Sequence, residues 1–566
     1  MNRKLILTLI IVFAAFLRLY DLQHFPPGLY SDEAAYGYNA YSILKTGRDE
    51  YGNFLPLTLK SFGDYKPVGT AYLTIPFVAI FGLNEIAVRL PSAIFGTVTI
   101  ALVYFIAKEI NSEPAYEKTL KFLPETASLM LAISPWHIHL TRSSMLVGIE
   151  SALIASGFLF FIKGLKNSKF LFVSAASFVA AIYTYYGSRL TVLLLILSLV
   201  LIFHKRLSQL KTAVAKSIIF ALILLLPMAL SIVRDPSALL GRVSTISIFF
   251  DPGIKSKLWE MHTLDGANFP PLVSRFFHNK PYFYFTDFQR RYLQHFSFDF
   301  LAVSGDPHPP FNIPKMGQLY LLEIPFIVVG LIYLISMQSK ITRSLLAYLL
   351  IAPVAASLTF ITPAANRSFN MVVPLTLASA AGILVSANYV SRKTKIKSKA
   401  FIATIIILYV ASFTFYLNSY FKKIPMEIPD SWHYGRRQLV EKVSKHEDSY
   451  EKVLLTEEEG PTYIWLLFYK QYEPETYWES AKITPQPDYL GWLHILSFGK
   501  YYFEPDLNWE EREKEPKTLY VAYRDQLPDN WEGQVQDKNY KLVIDERILY
   551  PNGKTVYKIG HLSEAK

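Results

Sequence analysis

The stretch FLFVSAASFVAAIYTYYGSRLTVLLLILSLVLIF, residues 170–203, contains two apolar runs separated by the aromatic and polar segment YTYYGSR. Basic segments flank it on both sides, KGLKNSK at 163–169 and HKRLSQLK at 204–211. We interpret each run as a helix that crosses the roughly 30 Å hydrocarbon layer. Because short basic loops are retained in the cytoplasm, the stretch predicts two spans that leave and return to the cytoplasmic face.

The composition of the whole chain supports this interpretation. Of its 566 residues 51% are apolar, and the mean hydropathy is +0.23, which is typical of a polytopic membrane protein. Much of the net charge of +11 lies in short loops between the runs, so it predicts orientation rather than a nucleic-acid surface. The absence of cysteine excludes disulfides and Cys-ligated metals.

Apolar runs recur along the chain and predict about eleven spans, with twelve or thirteen as the upper range. They lie near 4–20, 88–107, 125–141, 146–162, 170–186, 189–203, 213–233, 316–337, 343–361, 370–388 and 400–418. The run 68–83 is short and contains Pro76 and Gly82, so we predict that it does not cross. With a cytoplasmic N-terminus, the basic loops 338–343 and 391–399 then also lie in the cytoplasm.

The predicted fold is therefore a mostly α-helical membrane domain, residues 1–420, followed by an extracytoplasmic α/β domain, residues 425–566. The long loops 21–87 and 234–315 are predicted to lie on the outer side. After Pro425 charged residues, Trp and Pro become frequent. We predict strands at KVLLT, TLYVAY, YKLVI and ERILY, an amphipathic helix at SWHYGRRQLVEKVSKH and a half-buried helix at TYIWLLFYKQY.

The first predicted outer loop contains an acidic pair, Asp32 and Glu33, in GLYSDEAAYGYNAYSILKTGRD (28–49). Residue spacing places the pair at a helix N-terminus, where the helix dipole favours negative charge. One interpretation is helix capping by Ser31 or Asp32. The other is a carboxylate general base that takes a proton from a hydroxyl group.

Cations are predicted on the same side. Lys66, in DYKP, has two equally plausible roles: it binds a phosphate group, or it is an interfacial lysine whose ammonium group extends to the membrane surface. Arg142, Arg189 and Arg367 allow the same two interpretations. Taken together with the nearby carboxylates, these four cations predict a pocket for an anionic headgroup with a base beside it.

Other kinds of site are disfavoured. The four histidines of the loop 234–315 follow no metal-ligand spacing, so no metal site is predicted, although a divalent metal stays open as a cofactor. They are His262, His278, His295 and His308, with Asp299 and Asp306 close to the last two. The chain lacks a phosphate-binding P-loop, GxGxxG and a serine nucleophile elbow, which argues against an ATP-driven transporter or a serine hydrolase.

The acidic pair and the lysine-proline step, followed by RLPSAIFG (89–96) and SPWHIHLTRS (134–143), resemble motifs of the GT-C membrane glycosyltransferases. The nearest branches are the protein O-mannosyltransferases and the aminoarabinose transferases that modify lipid A. YTYYGSRL (183–190) and residues 296–326 are similar to stretches of bacterial and archaeal members. The resemblance extends over roughly residues 1–390.

The resemblance implies a transferase that moves a sugar from a polyprenyl-phosphate carrier to an outer-face acceptor (protein, lipid or glycan) with inversion at the anomeric carbon. Asp32 would be the base and Glu33 its neighbour, while Lys66 and, more weakly, Arg367 would contact the carrier phosphate. Relatives often have an acid directly before the lysine-proline step. Here Tyr65 takes that place and Asp64 precedes it.

A second departure follows the SPWHIHLTRS motif. Many relatives carry an acid four residues after its arginine, where this chain has Leu146, and Glu150 is the nearest acid. Asp64 and Glu150 are the nearest replacements for the missing acids.

We interpret the chain as a multi-pass glycosyltransferase of the plasma membrane, in contact with membrane lipids and not with nucleic acid. One alternative is a transporter or flippase of lipid-linked glycans, but inverted repeats and midplane charges typical of transporters are not found in the sequence. The other is a GT-C scaffold without catalytic activity.

Overall fold

The computed structural model describes residues 2–112, 118–236, 245–251, 253–266, 269–393, 398–486, 488 and 493–565. The chain divides into two compact units. The first comprises Met1–Arg18, Ser92–Thr141 and Leu146–Leu417, and the second comprises Leu19–Pro91, Arg142–Met145 and Asn418–Lys566. The predicted domain 425–566 lies in the second unit, together with residues 19–91.

Helices dominate the described part of the chain. In chain order they are α1 (Arg3–Leu19), α2 (Ser31–Thr46), α3 (Gly69–Phe81), α4 (Glu85–Asn111), α5 (Leu123–Ile133), α6 (Pro135–Arg142), α7 (Val147–Gly164), α8 (Phe170–Thr184), α9 (Tyr186–Gln209), α10 (Lys211–Arg234), α11 (Ile254–Leu264), α12 (Pro271–Phe277), α13 (Lys280–Gln294), α14 (Glu323–Ser336), α15 (Lys340–Ile351), α16 (Val354–Ser357), α17 (Val372–Lys393), α18 (Ser398–Asn418), α19 (Ile424–Glu427), α20 (Arg436–His446), α21 (Tyr463–Tyr469) and α22 (Pro474–Ser480).

Seven helical segments among the described residues are long and apolar enough to cross a membrane. They are Glu85–Asn111, Val147–Gly164, Tyr186–Gln209, Lys211–Arg234, Lys340–Ser357, Phe369–Arg392 and Lys399–Glu427. This confirms a mostly helical membrane protein but not the count of about eleven spans. Four more apolar helices, α3, α5, α8 and α14, are shorter, at 10–17 residues.

Local sequence explains two of the short helices. The run predicted to cross at 125–141 is divided, because Pro135 has no N–H group and keeps the preceding Ser134 extended (ψ 125°). The run 68–83 forms the 13-residue helix α3, which at 1.5 Å per residue extends only about 20 Å. Whether this run crosses the membrane stays a prediction.

Small residues allow close helix packing in the first unit. Helices α14 and α17 approach at Gly330 and Gly382, where a Cβ atom would lie 1.8 Å from the carbonyl oxygens of Ala378 and Phe326, respectively. Only glycine tolerates this approach, which is the usual way that apolar helices gain contact within a bilayer.

The second unit contains an eight-stranded mixed sheet in the order β4-β5-β6-β3-β7-β10-β9-β8, and a separate hairpin, β1-β2. The strands are β1 (Thr58–Ser61), β2 (Asp64–Pro67), β3 (Lys452–Thr456), β4 (Lys482–Ile483), β5 (Ile495–Phe498), β6 (Tyr501–Glu504), β7 (Thr518–Tyr523), β8 (Glu532–Val535), β9 (Lys538–Leu549) and β10 (Thr555–Glu564). Strand β3 runs parallel to both of its neighbours, β6 and β7.

The strands predicted at KVLLT and TLYVAY are confirmed as β3 and β7. YKLVI and ERILY, predicted as two strands, form the single strand β9. The pairing of β9 with β10 skips Asp545, which lies between the paired residues Ile544 and Glu546. An extra residue of this kind is a β-bulge, and it interrupts the alternating pattern from which the strands were predicted.

The amphipathic helix predicted in SWHYGRRQLVEKVSKH is confirmed as α20. The helix predicted in TYIWLLFYKQY is confirmed as α21, but it is more buried than predicted, because every residue from Tyr463 to Phe468 is buried. Helix α21 contacts both α2 and α20. A helix that is apolar on every side needs such surroundings.

Candidate active site

Helix α2 presents the acidic pair in its first turn, as predicted. The chain enters it through Gly28, where a Cβ atom would lie 2.0 Å from the carbonyl oxygen of Trp432, and leaves it at Gly47, a left-handed C-cap with φ 72°. The N-cap residue is Tyr30, not Ser31 or Asp32. Asp32 is therefore not used for capping.

The two acids of the pair differ in their surroundings. Glu33 is fully buried and forms a bidentate ion pair with Arg89, through Nε (3.0 Å) and Nη2 (3.1 Å). The main-chain N–H groups of Tyr30 (3.0 Å) and Ser144 (2.8 Å) also donate to its carboxylate. By contrast, 41% of the Asp32 side chain is exposed. Asp32 is the acid of this pair that a substrate can reach.

A tight hairpin positions Lys66. Strands β1 and β2 are joined by Phe62 (φ 57°) and Gly63 (φ 75°), both left-handed, which is the pattern of a two-residue type I′ turn. The Lys66 ammonium group lies 4.6 Å from the centre of the Phe62 ring and 5.9 Å from that of Tyr36, and it forms an ion pair with Asp32. The structure thus brings together a base candidate and a cation candidate that are far apart in sequence.

Asp64 lies two residues before Lys66 in strand β2, where it pairs with Ser61 across the turn. A separation of two residues places Asp64 and Lys66 on the same face of the hairpin. The Asp64 side chain is partly exposed.

His433 was not singled out in the sequence, but it belongs to this region. Its ring lies 5.4 Å from the ring of Tyr30 and 4.7 Å from that of Trp465. Burial, followed by the charge of Arg436, lowers the pKa of His433 to about 3, while Asp32 opposes this shift. A cavity of about 270 Å³ is lined by His433, Arg436, Arg437, Gly28, Glu85 and Tyr469. In the sequence, only the unusual composition of SWHYGRR could have indicated His433 as a site residue.

Arg142 is fully buried. Its Nη2 donates to the main-chain oxygens of Tyr20 (2.7 Å) and Phe25 (3.1 Å), and its Nε donates to the hydroxyl of Tyr420 (3.2 Å). These contacts tie three segments of the second unit together. The Arg142 guanidinium is thus directed at oxygen atoms of the protein itself.

The remaining two predicted arginines lie in the first unit. The Arg189 guanidinium lies 4.4 Å from the centre of the Tyr186 ring, and its buried Nε has no hydrogen-bond partner. Arg367 donates to Oγ1 of Thr359 (2.6 Å). Both side chains are only partly buried.

Asp306 lies close enough to Arg367 for their charges to interact. Its carboxylate accepts hydrogen bonds from the main-chain N–H groups of Ala365 (2.5 Å) and His308 (2.7 Å). Burial raises the pKa of Asp306 to about 6, against the effect of these bonds and of Arg367. The loop and the turn that were predicted separately thus meet around one arginine.

Glu150 lies within the first unit and is buried. Its Oε1 accepts from Oγ of Ser188 (2.8 Å) and from Nδ2 of Asn370 (3.0 Å). The carboxyl group links three segments, at Glu150, Ser188 and Asn370, which gives it a structural place in the unit.

A second buried acid in the second unit escaped sequence reasoning. The Glu50 carboxylate accepts from the hydroxyls of Tyr463 (2.5 Å) and Ser61 (2.6 Å) and from Nδ2 of Asn39 (3.1 Å). Burial raises the pKa of Glu50 to about 7, although these hydrogen bonds oppose the shift. It holds α2, β1 and α21 to one another.

Comparison with known proteins adds to this geometry. Residues 65–230 match the family described as Dolichyl-phosphate-mannose-protein mannosyltransferase, which is less than a third of the chain. The matched range includes Lys66, Arg142 and Arg189 but not Asp32 or Arg367. No curated protein matches the sequence.

Several solved structures share the fold. ArnT from Cupriavidus metallidurans in the apo state is 12% identical, with a TM-score of 0.52, over 98% of this chain and 97% of that one. ArnT bound to undecaprenyl phosphate gives 14% identity and a TM-score of 0.51 over the same shares. A third structure is the archaeal oligosaccharyltransferase AglB from Archaeoglobus fulgidus, in complex with an inhibitory peptide and a dolichol-phosphate. Its sequence identity is 12% and its TM-score is 0.50, over 82% of this chain and 63% of that one.

These structures define the class of the protein: a membrane protein with the fold of ArnT. At 12–14% identity these structures show a shared fold, and residues 65–230 match the mannosyltransferase family described above.

Proposed function

We propose that this protein is an inverting glycosyltransferase that moves a sugar from a polyprenyl-phosphate donor to an acceptor hydroxyl at the outer face of the plasma membrane. The observation that carries the proposal is the pair formed by Asp32 and Lys66. It combines a solvent-reachable carboxylate, at the N-terminus of α2, with a cation held between aromatic rings. The N-terminus of the chain lies in the cytoplasm in this account.

Asp32 acts as the general base. The acceptor hydroxyl loses its proton to the Asp32 carboxylate while its oxygen forms a bond to the anomeric carbon. The bond between that carbon and the phosphate oxygen breaks on the opposite side, which inverts the configuration. The leaving polyprenyl phosphate carries away the electron pair. Glu33 cannot act as the general base, because its buried carboxylate already accepts four hydrogen bonds.

Lys66 stabilises the charge that develops on the leaving phosphate. A fixed cation aimed at a leaving group lowers the barrier most where water is excluded, and the Lys66 side chain is 10% exposed. When the donor is absent, Asp32 balances the charge of Lys66. A bound phosphate competes for the ammonium group and leaves Asp32 free to accept a proton.

We assign different roles to the other predicted site residues. Arg189 and Arg367 remain candidates for carrier phosphate contacts, because each is partly exposed. Arg142 and Glu33 serve the structure, because both are buried and form several hydrogen bonds with protein groups. Asp64, on the same face as Lys66, is the reserve candidate for the base.

The donor class is supported by two of the related structures. ArnT is described with undecaprenyl phosphate and AglB with a dolichol-phosphate, both long isoprenoid carriers with one phosphate. Aromatic residues make up 15% of this chain, and such side chains suit prenyl groups and sugar faces. The acceptor stays open among protein, lipid and glycan.

The test is transfer by the purified protein in lipid, with radiolabelled polyprenyl-phosphate sugars as donors and a membrane extract as acceptor. Asp32→Asn should abolish transfer while donor binding is retained, and Lys66→Ala should weaken both. Asp448→Asn and Lys482→Ala are the matched controls, because Asp448 is 97% exposed and Lys482 is exposed in a short edge strand. Both controls should behave as the wild type.

The rival functions give other results. If Asp32→Asn still transfers sugar, Asp32 is not the general base, and Asp64 becomes the candidate. Donor binding in every variant without transfer by the wild type would favour the flippase or a scaffold without activity.

A further inference from the structure

Two of the four histidines of the predicted loop 234–315 belong to a cluster of titratable side chains in the first unit, which has no part in the proposed sugar transfer. Helices α11 and α12 follow one another in the chain and present polar side chains at their C-terminal ends. His262 lies in the last turn of α11, Asp265 follows that helix, and His278 follows α12. The sequence spacing gave no sign of a site, because the two helices have to fold against each other first.

The three side chains converge. One ring nitrogen of each histidine and one carboxylate oxygen of Asp265 all lie within 4.8 Å of one another. Nδ1 of His278 lies 2.9 Å from Oδ2 of Asp265, and Nδ1 of His262 lies 2.5 Å from Oγ of Ser274. All three ligand candidates are partly buried, so water still has access to them.

We propose that His262, Asp265 and His278 bind a divalent transition-metal ion of the Zn²⁺ class. Two imidazoles and one carboxylate form a ligand set that Zn²⁺ accepts, with a fourth position for water. Metal–ligand bonds of about 2.0–2.1 Å in a tetrahedron place the ligand atoms about 3.3 Å apart. Because all separations in the cluster are within 4.8 Å, no pair of ligand atoms has to approach by more than about 1.5 Å.

The surroundings favour ligation. The Asp265 carboxylate contacts Nδ1 of His278, so the aspartate and one of the two histidines already lie side by side. Ser274 also contacts the His262 ring and fixes its orientation, as outer partners of metal-bound histidines generally do. The chain has no cysteine, so no thiolate competes for the ion.

The ion would fasten α11 to α12. These helices expose large apolar side chains, including Trp259 (71%), Leu272 (81%) and Phe276 (71%), and apolar contact among these residues does little to hold the pair together. A metal ion bound by His262, Asp265 and His278 would strengthen the contacts that already join the two helix ends. The inference is independent of the proposed transferase activity.

Zinc content tests the proposal. The full-length protein, purified with a tag that contains no histidine, is stripped with a chelator, exposed to ZnCl₂, dialysed and assayed for bound metal. Wild type should retain one zinc ion more per chain than His262→Ala, His278→Ala or Asp265→Asn. Ser274→Ala should keep the site but weaken zinc binding by about 10–100-fold. In the Co²⁺-loaded wild type, visible absorption typical of tetrahedral coordination should appear and be lost in His278→Ala.

A matched control is His494→Ala, because His494 faces Asp488 (3.1 Å) in a simple His–Asp pair. It should retain the zinc content of the wild type. A second measurement guards against variants that fail to fold: trypsin cleavage at Lys255 and Lys257, both exposed in α11, should slow several-fold when zinc is added to the wild type. Equal zinc content in wild type and all three ligand variants, or cleavage of the wild type that zinc does not change, would overturn the proposal.

Discussion

Replacing Glu33 by Gln should destabilise the second unit severely, although the two side chains have the same shape. Oε1 of Glu33 accepts from Nε of Arg89 and from the N–H of Ser144, while Oε2 accepts from Nη2 of Arg89 and the N–H of Tyr30. In either orientation, the glutamine amide NH₂ group would face two donors. The buried Arg89 charge would also lose its counter-charge.

The expected loss follows from the burial of both partners, each of which is fully inaccessible to solvent. Removing one partner of a buried ion pair costs about 3–5 kcal/mol, because the remaining charge stays desolvated. For a unit of roughly two hundred residues, each kcal/mol lowers the unfolding temperature by about 2–4 °C. We therefore expect a decrease of about 6–20 °C.

The assay is the temperature at which half of the protein, heated in detergent, is still monodisperse on size-exclusion chromatography. Asp32→Asn is the control in the adjacent position, because its ion pair with Lys66 is partly exposed and contributes about 1 kcal/mol at most. If the unfolding temperature of Glu33→Gln lies within about 2 °C of that of the wild type, the structural role assigned to Glu33 is refuted.

Three further changes have defined outcomes. Gly382→Leu should prevent α14 and α17 from packing and abolish the yield of monodisperse protein, because even a Cβ atom would collide with the oxygen of Phe326. Gly63→Ala, at φ 75°, should cost the hairpin about 1 kcal/mol and weaken binding of undecaprenyl phosphate through Lys66 about fivefold, as measured by calorimetry. Because the pKa of Glu50 is raised from 4.5 to about 7, the folded chain holds a proton that the unfolded chain has lost. Stability should therefore fall as pH rises between these values, and thermal unfolding should show that Glu50→Gln reduces this slope.

Features that depend on neighbouring residues were predictable from the sequence. The acidic first turn of α2 and the strands β3 and β7 follow from local pattern and composition. The family resemblance, which rested on a few short motifs, agrees with the family match and with the shared fold.

Features that depend on distant segments were not predictable. Asp32 and Glu33 are adjacent and chemically alike, and Glu33 is the buried one because Arg89 and the main-chain N–H of Ser144, both distant in sequence, bind its carboxylate. The burial of α21 depends on its contact with α2, more than 400 residues away in sequence. The division of the predicted span 125–141 reflects one proline, whose effect apolar content alone does not reveal.

Sugar transfer by Asp32→Asn is the measurement that tests the central claim most directly. The variant, reconstituted in lipid beside the wild type and Asp448→Asn, is supplied with radiolabelled polyprenyl-phosphate sugars and a membrane extract. We expect Asp32→Asn to fold with a stability within about 1 kcal/mol of that of the wild type and to bind the donor, yet to transfer no sugar above background. Transfer at the rate of the wild type would contradict it.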